Sequence, residues 1–497
     1  MIFELLVILG FLISGSFLVK FLGFNGWYVP FLGYIVGVSI YVALGFAQVL
    51  IGIHTHPLIA LTTLTVLTLA LFIYDYRNEK LIRFSKIHSL IVLAIASSLV
   101  SFLWSAHLFN WHIDSFFNME IGSLLVNNHY DTASMARVAK RLLAIPFIHA
   151  SAHIGEGSEY YLRSFTPLLS LSIIASIAWI ALEGLRKKVN KHMLYASIIA
   201  GLIFLITINR YVFHTFYING HLFFAALLLI IAGFSWLVSM NNTWQKKSNA
   251  LMIVLLLAIP ALVVTRPEAS MVAALALVPL LLNTKIPWKK RALPAFVLGV
   301  SMIAWQGYVS TVDYQSSGAV SAESYGLLVA GVALIFAIPL LKIKLTERTQ
   351  RNLIWTAEGG LLASLMFLTF LNPVVLRNAL SATYQNVVFG SWGWSLLFLG
   401  FVGILAIILL KFPRQAHLRF PLTTFIILGF LLAYLRTGDI LESTGGYRVG
   451  NGDSFNRMLM QIVPLAVLYI IVVVASGTAR YRLKKSRSFL RYKIVRI

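Results

Sequence analysis

The sequence predicts an all-α polytopic membrane protein, a transmembrane helix bundle, and three observations carry that reading. Of 497 residues 59% are hydrophobic and 11% charged, with a mean hydropathy of +0.84. Soluble domains are about 45–50% apolar and about 25% charged. The apolar residues gather in runs of about 20, the helical length that crosses a hydrocarbon core of about 30 Å. The charge lies between those runs, as 40 Lys and Arg against 17 Asp and Glu.

The runs fall near 2–20, 29–52, 57–74, 89–107, 166–184, 193–213, 220–240, 249–264, 268–283, 292–310, 323–341, 353–371, 391–410, 420–435 and 457–476, which makes about fifteen spans. The first begins at residue 2 without a basic leader or a small-residue cleavage site after it, so it reads as a retained span. There is no cysteine, which excludes disulfides, thiolate metal sites and cysteine nucleophiles.

Numbering the spans divides the connections into two alternating sets. One set collects Lys20, 75–88, 186–191, Lys246 and Lys247, 285–291, 342–351, 411–419 and the tail, with 30 of the 40 basic residues and, counting Glu183 at the adjoining span end, 4 of the 17 acids. That bias assigns it to the cytoplasm and predicts a multi-pass plasma (inner) membrane protein, N-terminus outside and C-terminus inside. The excess charge is then a topology label and not a sign of a nucleic-acid partner. The basic tail, 477–497, suits anionic lipid headgroups.

The outer connections are long and mixed, which favours an outward-facing active site over polar residues in broken spans as in transporters. The longest, 108–165, opens with Asp114 directly after a span, a rigid place for a general base. Glu120 follows in an apolar run from Phe116 to Val126 that stays at the membrane. Thr132 to Ile145 has amphipathic helical spacing, with Arg137, Lys140 and Arg141 opposite Met135, Val138, Leu142 and Ile145. It would lie in the interface, as an anchor or as a basic face for lipid phosphates. His149 and His153, spaced i and i+4, with Glu156 nearby, are candidates for a divalent metal or for hydrogen bonding within a polar loop. Gly155 and Gly157 end any helix there.

Spans 249–264 and 268–283 are short, so the turn between them, Thr265-Arg266-Pro267-Glu268, is recessed. Charges at that depth must pair or face a polar cavity. Arg266 and Glu268 could stitch the turn, or Arg266 could meet phosphate, which its planar fork suits. The outer loop 436–456 holds four glycines between Ser443 and Gly452, then Asp453 and, at the mouth of the last span, Arg457. A lid or a solvated linker both fit, but a cation at a helix N-terminus calls for an anion. Glu358, inside a span and counted with the outer side, sits beside Gly359 and Gly360, which would allow close helix approach, and reads as a structural hydrogen bond. His214, Asn219 and His221 flank a short outer turn after Arg210, lining a cavity or capping helices.

In the order and placement of these features the chain resembles the GT-C superfamily of polytopic glycosyltransferases, which includes protein O-mannosyltransferases and the lipid A aminoarabinose transferases. The matching features are a large outer loop with an early acid, Asp114; an Asn219-Gly220-His221 turn; a Thr-Arg-Pro-Glu-Ala run between two short spans; and Asn456-Arg457 opening a span that contains Pro464. The resemblance covers 89–476 as a catalytic module and leaves 1–88 as a three-span N-terminal addition. Asp114 is followed by Ser115 where protein O-mannosyltransferases carry a paired Asp-Glu, so the acceptor class stays open.

The resemblance implies inverting transfer of a sugar from a polyprenyl-phospho-sugar donor to a glycan, lipid or protein acceptor on the extracytoplasmic face. Asp114 would be the general base. Arg266 and Arg457 would hold the leaving phosphate, Glu268 would orient Arg266 or a donor hydroxyl, and Asp453, His221 and Glu120 would line the substrate site. No cofactor is firmly implied; a divalent metal is possible at His149, His153 and Glu156. The rival readings are an O-antigen ligase or polymerase type of enzyme and a lipid-linked sugar transporter or flippase.

Overall fold

The computed structural model describes residues 2–51, 56–77, 113–126, 143–154, 161–240, 245–266, 268–317, 331–333, 336–339, 345–371, 373, 374, 377, 380, 381, 396–411, 416–443 and 458–477. Among them every regular element is helical. In order these are α1 (Ile2–Phe21), α2 (Val29–Leu50), α3 (Pro57–Arg77), α4 (Ile113–Val126), α5 (Ala144–Ala150) with the 3-10 turn Ser151–Ile154, α6 (Phe165–Leu185), α7 (Lys191–Thr207), α8 (Asn209–Thr215) and α9 (Gly220–Met240). Then come α10 (Gln245–Val263), α11 (Ala269–Leu281), α12 (Trp288–Ser317), α13 (Glu347–Leu371), α14 (Leu396–Lys411), α15 (Ala416–Ser443) and α16 (Val463–Gly477).

Seven of these helices are long and apolar enough to cross a membrane, or eight if α7 and α8, bent by 73° at Ile208, count as one span. The helices at the predicted spans 249–264, 268–283, 391–410, 420–435 and 457–476 include shorter apolar stretches, and 89–107 lies outside the described residues. On α13, Met366, Phe367, Phe370 and Leu371 are largely exposed. An aqueous protein rarely shows such a face, whereas a bilayer covers it.

The helix boundaries have local causes. Gly23 and Gly26, at φ 91° and 137°, make the turn between α1 and α2; only glycine adopts such angles without strain. Asn190 caps α7 by accepting from His192 N at 2.9 Å, and Asn219 accepts from His221 N at 3.2 Å at the start of α9.

The chain forms two compact units, residues 1–176 with 213–356, and 177–212 with 357–497. In the first, α1 and α2 meet backbone to backbone at their glycines: a Cβ on Gly15 would fall on the Gly33 carbonyl, and one on Gly37 on the Phe11 carbonyl. Gly33 and Gly37 lie four apart on one helical face, the small-residue spacing of close membrane helix pairs. Helices α1 to α3 belong to the first unit. Phe46 meets Trp305 edge-on at 5.9 Å, and Tyr41 stacks on Phe147 at 4.7 Å.

In the second unit Phe204 of α7 stacks on Phe401 of α14 at 4.5 Å. A groove of about 530 Å³ beside them is lined by Gly201, Ile404, Val467 and Ile471. Glu358 of α13 is held by Arg419 of α15, whose Nη1 donates to both carboxylate oxygens at 2.7 and 2.9 Å. This bears out the structural reading of Glu358 and corrects two details. Its partner comes from the 411–419 connection, so Glu358 belongs to the end opposite the one assigned. A Cβ on Gly359 or Gly360 would meet no described atom within 4 Å, so no helix packs there among the described residues.

Candidate functional site

Cross-chain bonds of the first unit sort by predicted side. Thr284 Oγ1 donates to Leu345 O and Lys285 pairs with Glu347, joining two connections of the basic set. Ser115 Oγ donates to Ile218 O, Ala144 N to Val264 O and Ser164 N to Glu4 Oε1, each joining segments of the other set.

The recessed turn forms as the short helices require. Val264, Thr265 and Glu268 are buried, and Thr265 Oγ1 donates to Ala261 O at 2.6 Å, closing the end of α10. Glu268 stands at the N-cap of α11, but its carboxylate turns to Arg266, accepting from Nε at 3.2 Å. The Glu268 side chain is 3% exposed and that of Arg266 27%. Among the described residues Nε makes the only side-chain hydrogen bond of Arg266. The two Nη groups make no hydrogen bond among the described residues.

Against this turn lies the Asn219-Gly220-His221 turn. A Cβ on Gly220 would stand 3.3 Å from Thr265 O and 3.4 Å from Arg266 Cδ, so glycine is what permits the approach. Asn219 Nδ2 donates to Tyr217 OH at 3.3 Å. The buried His221 ring meets the buried His214 ring edge-on at 5.6 Å. Arg210, one helical turn before His214, is 1% exposed. Helices α9 and α11 both begin here, so two positive dipole ends add to the Arg266 charge and favour an anion.

The first turn of helix α4 lies against the segment that leads into Asn219. Asp114 is in its first turn, and the next residue, Ser115, bonds Ile218 O at 3.3 Å, one residue before Asn219. The side chain of Asp114 is outside the described set. Phe116 and Phe117 are exposed while Met119, Ile121 and Leu125 are buried, as expected for a helix that stays at an interface. Glu120 is exposed on α4. Arg457 and Asp453 lie outside the described residues, as do Glu156 and most of the amphipathic stretch from Thr132. Ile145, the end of that stretch, is in α5 and fully enclosed, a correction to the surface position expected for it.

The α-helix carrying His149 ends at Ala150 and a 3-10 turn that holds His153 follows to Ile154; Gly155 and Gly157 lie outside the described residues. His149 Nδ1 accepts from Leu162 N at 3.0 Å, so in the neutral ring Nε2 carries the hydrogen. A metal could take Nε2 only if that bond were given up. Nε2 is buried without a described partner, and burial, followed by the charge of His153, lowers the His149 pKa to about 3. Among the described residues no three His, Asp or Glu side chains gather as a metal site would need.

Sequence reasoning missed Glu4 and Tyr41. An acid four residues into an otherwise uncharged apolar run was a usable signal for Glu4; a tyrosine inside a span gives none. No family model matches the chain, and no curated protein or solved structure matches it.

Proposed function

We propose that the chain is a membrane glycosyltransferase of GT-C-like architecture, with about fifteen spans, its N-terminus outside and its C-terminus inside the plasma membrane. It moves a sugar from a polyprenyl-phospho-sugar to a glycan, lipid or protein acceptor at the outer face, with inversion. The observation that carries this reading is the Arg266 turn: Glu268 occupies Nε and leaves the Nη pair open, beside two helix N-termini and the helix that starts with Asp114. A guanidinium presented in this way suits a phosphate ester, whose charge grows as the sugar leaves. Asp114 takes the acceptor proton, Arg457 adds a second cation to the phosphate, and His221 and Asp453 line the sugar site. The apolar groove of the second unit has the chemistry a polyprenyl chain needs. A divalent metal, if used, would draw on His153 and Glu156 before His149.

A second reading, a lipid-linked sugar transporter or flippase, is favoured by the 73° break between α7 and α8 beside the buried Arg210. Discontinuous helices often bind substrate in transporters. The purified full-length protein in nanodiscs, given a radiolabelled polyprenyl-phospho-sugar and a mixed acceptor extract, separates the two. Label released from the lipid and dependent on Asp114 supports transfer; movement of intact donor across proteoliposomes without release overturns it.

A further inference from the structure

The first two helices bond both described parts of the segment that runs from 143 to 165, 143–154 and 161–165. At the end of α5 the Ser151 N–H goes to Ile148 O and His149 O, and Tyr41 OH donates to Phe147 O at 3.1 Å. The two rings stack at 4.7 Å and 22°, and a Cβ on Gly45 would fall on the Phe147 ring, so α2 is shaped to receive it. At the other end Glu4 Oε1 accepts from Ser164 N at 3.0 Å, and Tyr34 OH donates to Phe165 O at 3.2 Å. Glu4 thus supplies an anion to the start of α6, where the helix dipole favours one.

Helix α5 also touches both halves of the proposed site. Ala144 N donates to Val264 O at 3.1 Å, two residues before Arg266. A Cβ on Gly122 of α4 would stand 3.0 Å from Pro146 O and 3.2 Å from Ala150 N. The helix carrying Asp114 and the turn carrying Arg266 therefore share one support. Whatever fixes α5 fixes the spacing between them.

We propose that α1 and α2 act as a clamp on α5 and that Tyr41 is its positioning residue, holding the Asp114 helix and the Arg266 turn in register. This rests on the glycosyl-transfer reading. Shifts of about 1 Å in such a register cost up to about a hundredfold in rate, and the clamp acts on geometry rather than on donor affinity. Tyr41→Phe keeps the stack and removes the hydroxyl with its bonds to Phe147 O and to the Ser151 side chain, both at the end of α5.

The absence of cysteine in the chain allows a test that does not need activity. Single cysteines at the buried positions Ala152 and Thr265 are labelled with a maleimide in full-length protein, with and without Tyr41→Phe, and transfer kinetics are measured on the cysteine-free pair. The expected result is labelling at least about fivefold faster at both positions, and kcat lowered about tenfold with KM changed less than about threefold. Tyr41→Phe should add nothing further in an Arg266→Lys background, because both changes act on one unit. Unchanged labelling at Ala152→Cys overturns the clamp whether or not the protein transfers sugar. Faster labelling there but not at Thr265→Cys, or an unchanged kcat in an active enzyme, overturns the positioning role. If the wild type releases no sugar, the transfer reading falls, and labelling at the two positions still decides whether Tyr41 holds the turn.

Discussion

Arg266 gives its Nε hydrogen to Glu268 Oε1 at 3.2 Å, and that one bond decides how the guanidinium can be used. It fixes the plane of the fork, leaves the Nη pair without a partner among the described residues, and neutralises a carboxylate that would otherwise repel an anionic ligand. Arg266→Lys keeps the charge but loses the fork. A hydrogen bond to a charged group is worth about 1.5–3 kcal/mol, so the Kd of polyprenyl phosphate should rise about tenfold to a hundredfold. Glu268→Gln should give a smaller rise, since the amide oxygen still accepts from Nε. Titration in nanodiscs checks both; unchanged affinity in Arg266→Lys removes the turn from the phosphate site.

Asp114→Asn preserves shape and removes the base. General-base catalysis contributes about 10²- to 10⁴-fold, so transfer should fall by that factor while carrier affinity stays within twofold or so of wild type. A wild-type rate in the variant would defeat the base assignment. Loss of carrier binding along with rate would instead make Asp114 part of the binding site.

Gly220 reports on the approach of the two turns. A Cβ there would stand at 3.3 and 3.4 Å from Thr265 O and Arg266 Cδ, tight for alanine and too close for a branched side chain. Gly220→Ala should weaken carrier binding a few-fold, and Gly220→Val should weaken it much more, at a stability cost of about 1–3 kcal/mol from overpacking. Equal carrier affinity in all three proteins would mean that the turns do not act together.

Much of this arrangement was legible before any coordinates. The short spans 249–264 and 268–283 forced a recessed turn, and the ionisable pair in it had to be satisfied. The early acid, Asp114, and the Asn219-Gly220-His221 turn stood out because polar residues are rare beside long apolar runs. Pairing across the chain was not legible. Hydrophobic periodicity says that α2 is buried, but not that Gly45 and Tyr41 receive Phe147. The burial of Ile145 was misread because helical spacing alone cannot tell a helix on the interface from one enclosed by its neighbours. Arg419 carried a topology signal that concealed its role, since a basic residue at a helix start assigned to the cytoplasm by charge bias needs no other explanation.

His149 gives a pH signature. Its pKa is lowered from 6.5 to about 3, first by burial and then by His153, so the folded state keeps the ring neutral while the unfolded chain protonates it. Stability is therefore full above pH 6.5, falls by about 1.4 kcal/mol per unit as the pH drops towards 3, and is flat below that. His149→Asn keeps an acceptor for Leu162 N without a titrating group. Between pH 7.5 and 4.5 the wild type should lose about 2–3 kcal/mol more than the variant in denaturant melts. Parallel curves would show that His149 is charged in the folded protein.

The Arg419–Glu358 pair separates the enzyme reading from the transporter. Nη1 of Arg419 binds both carboxylate oxygens, its Nε donates to Leu409 O at 2.9 Å, and Thr423 Oγ1 donates to Glu358 at 2.6 Å, so one buried cluster joins α13, α14 and α15. Removing one member of a buried pair costs about 3–5 kcal/mol, whereas replacing both with apolar groups of similar volume is often near neutral. Glu358→Leu or Arg419→Met alone should lower the melting temperature sharply, and the double variant should recover most of the loss. In a transferase the folded fraction of each variant keeps its specific activity, because the cluster serves packing. A transporter that couples to protons through this carboxylate would behave in the opposite way. Glu358→Gln would then abolish movement of substrate in protein that is still folded, and that result would make Glu358 a functional group and displace the enzyme reading.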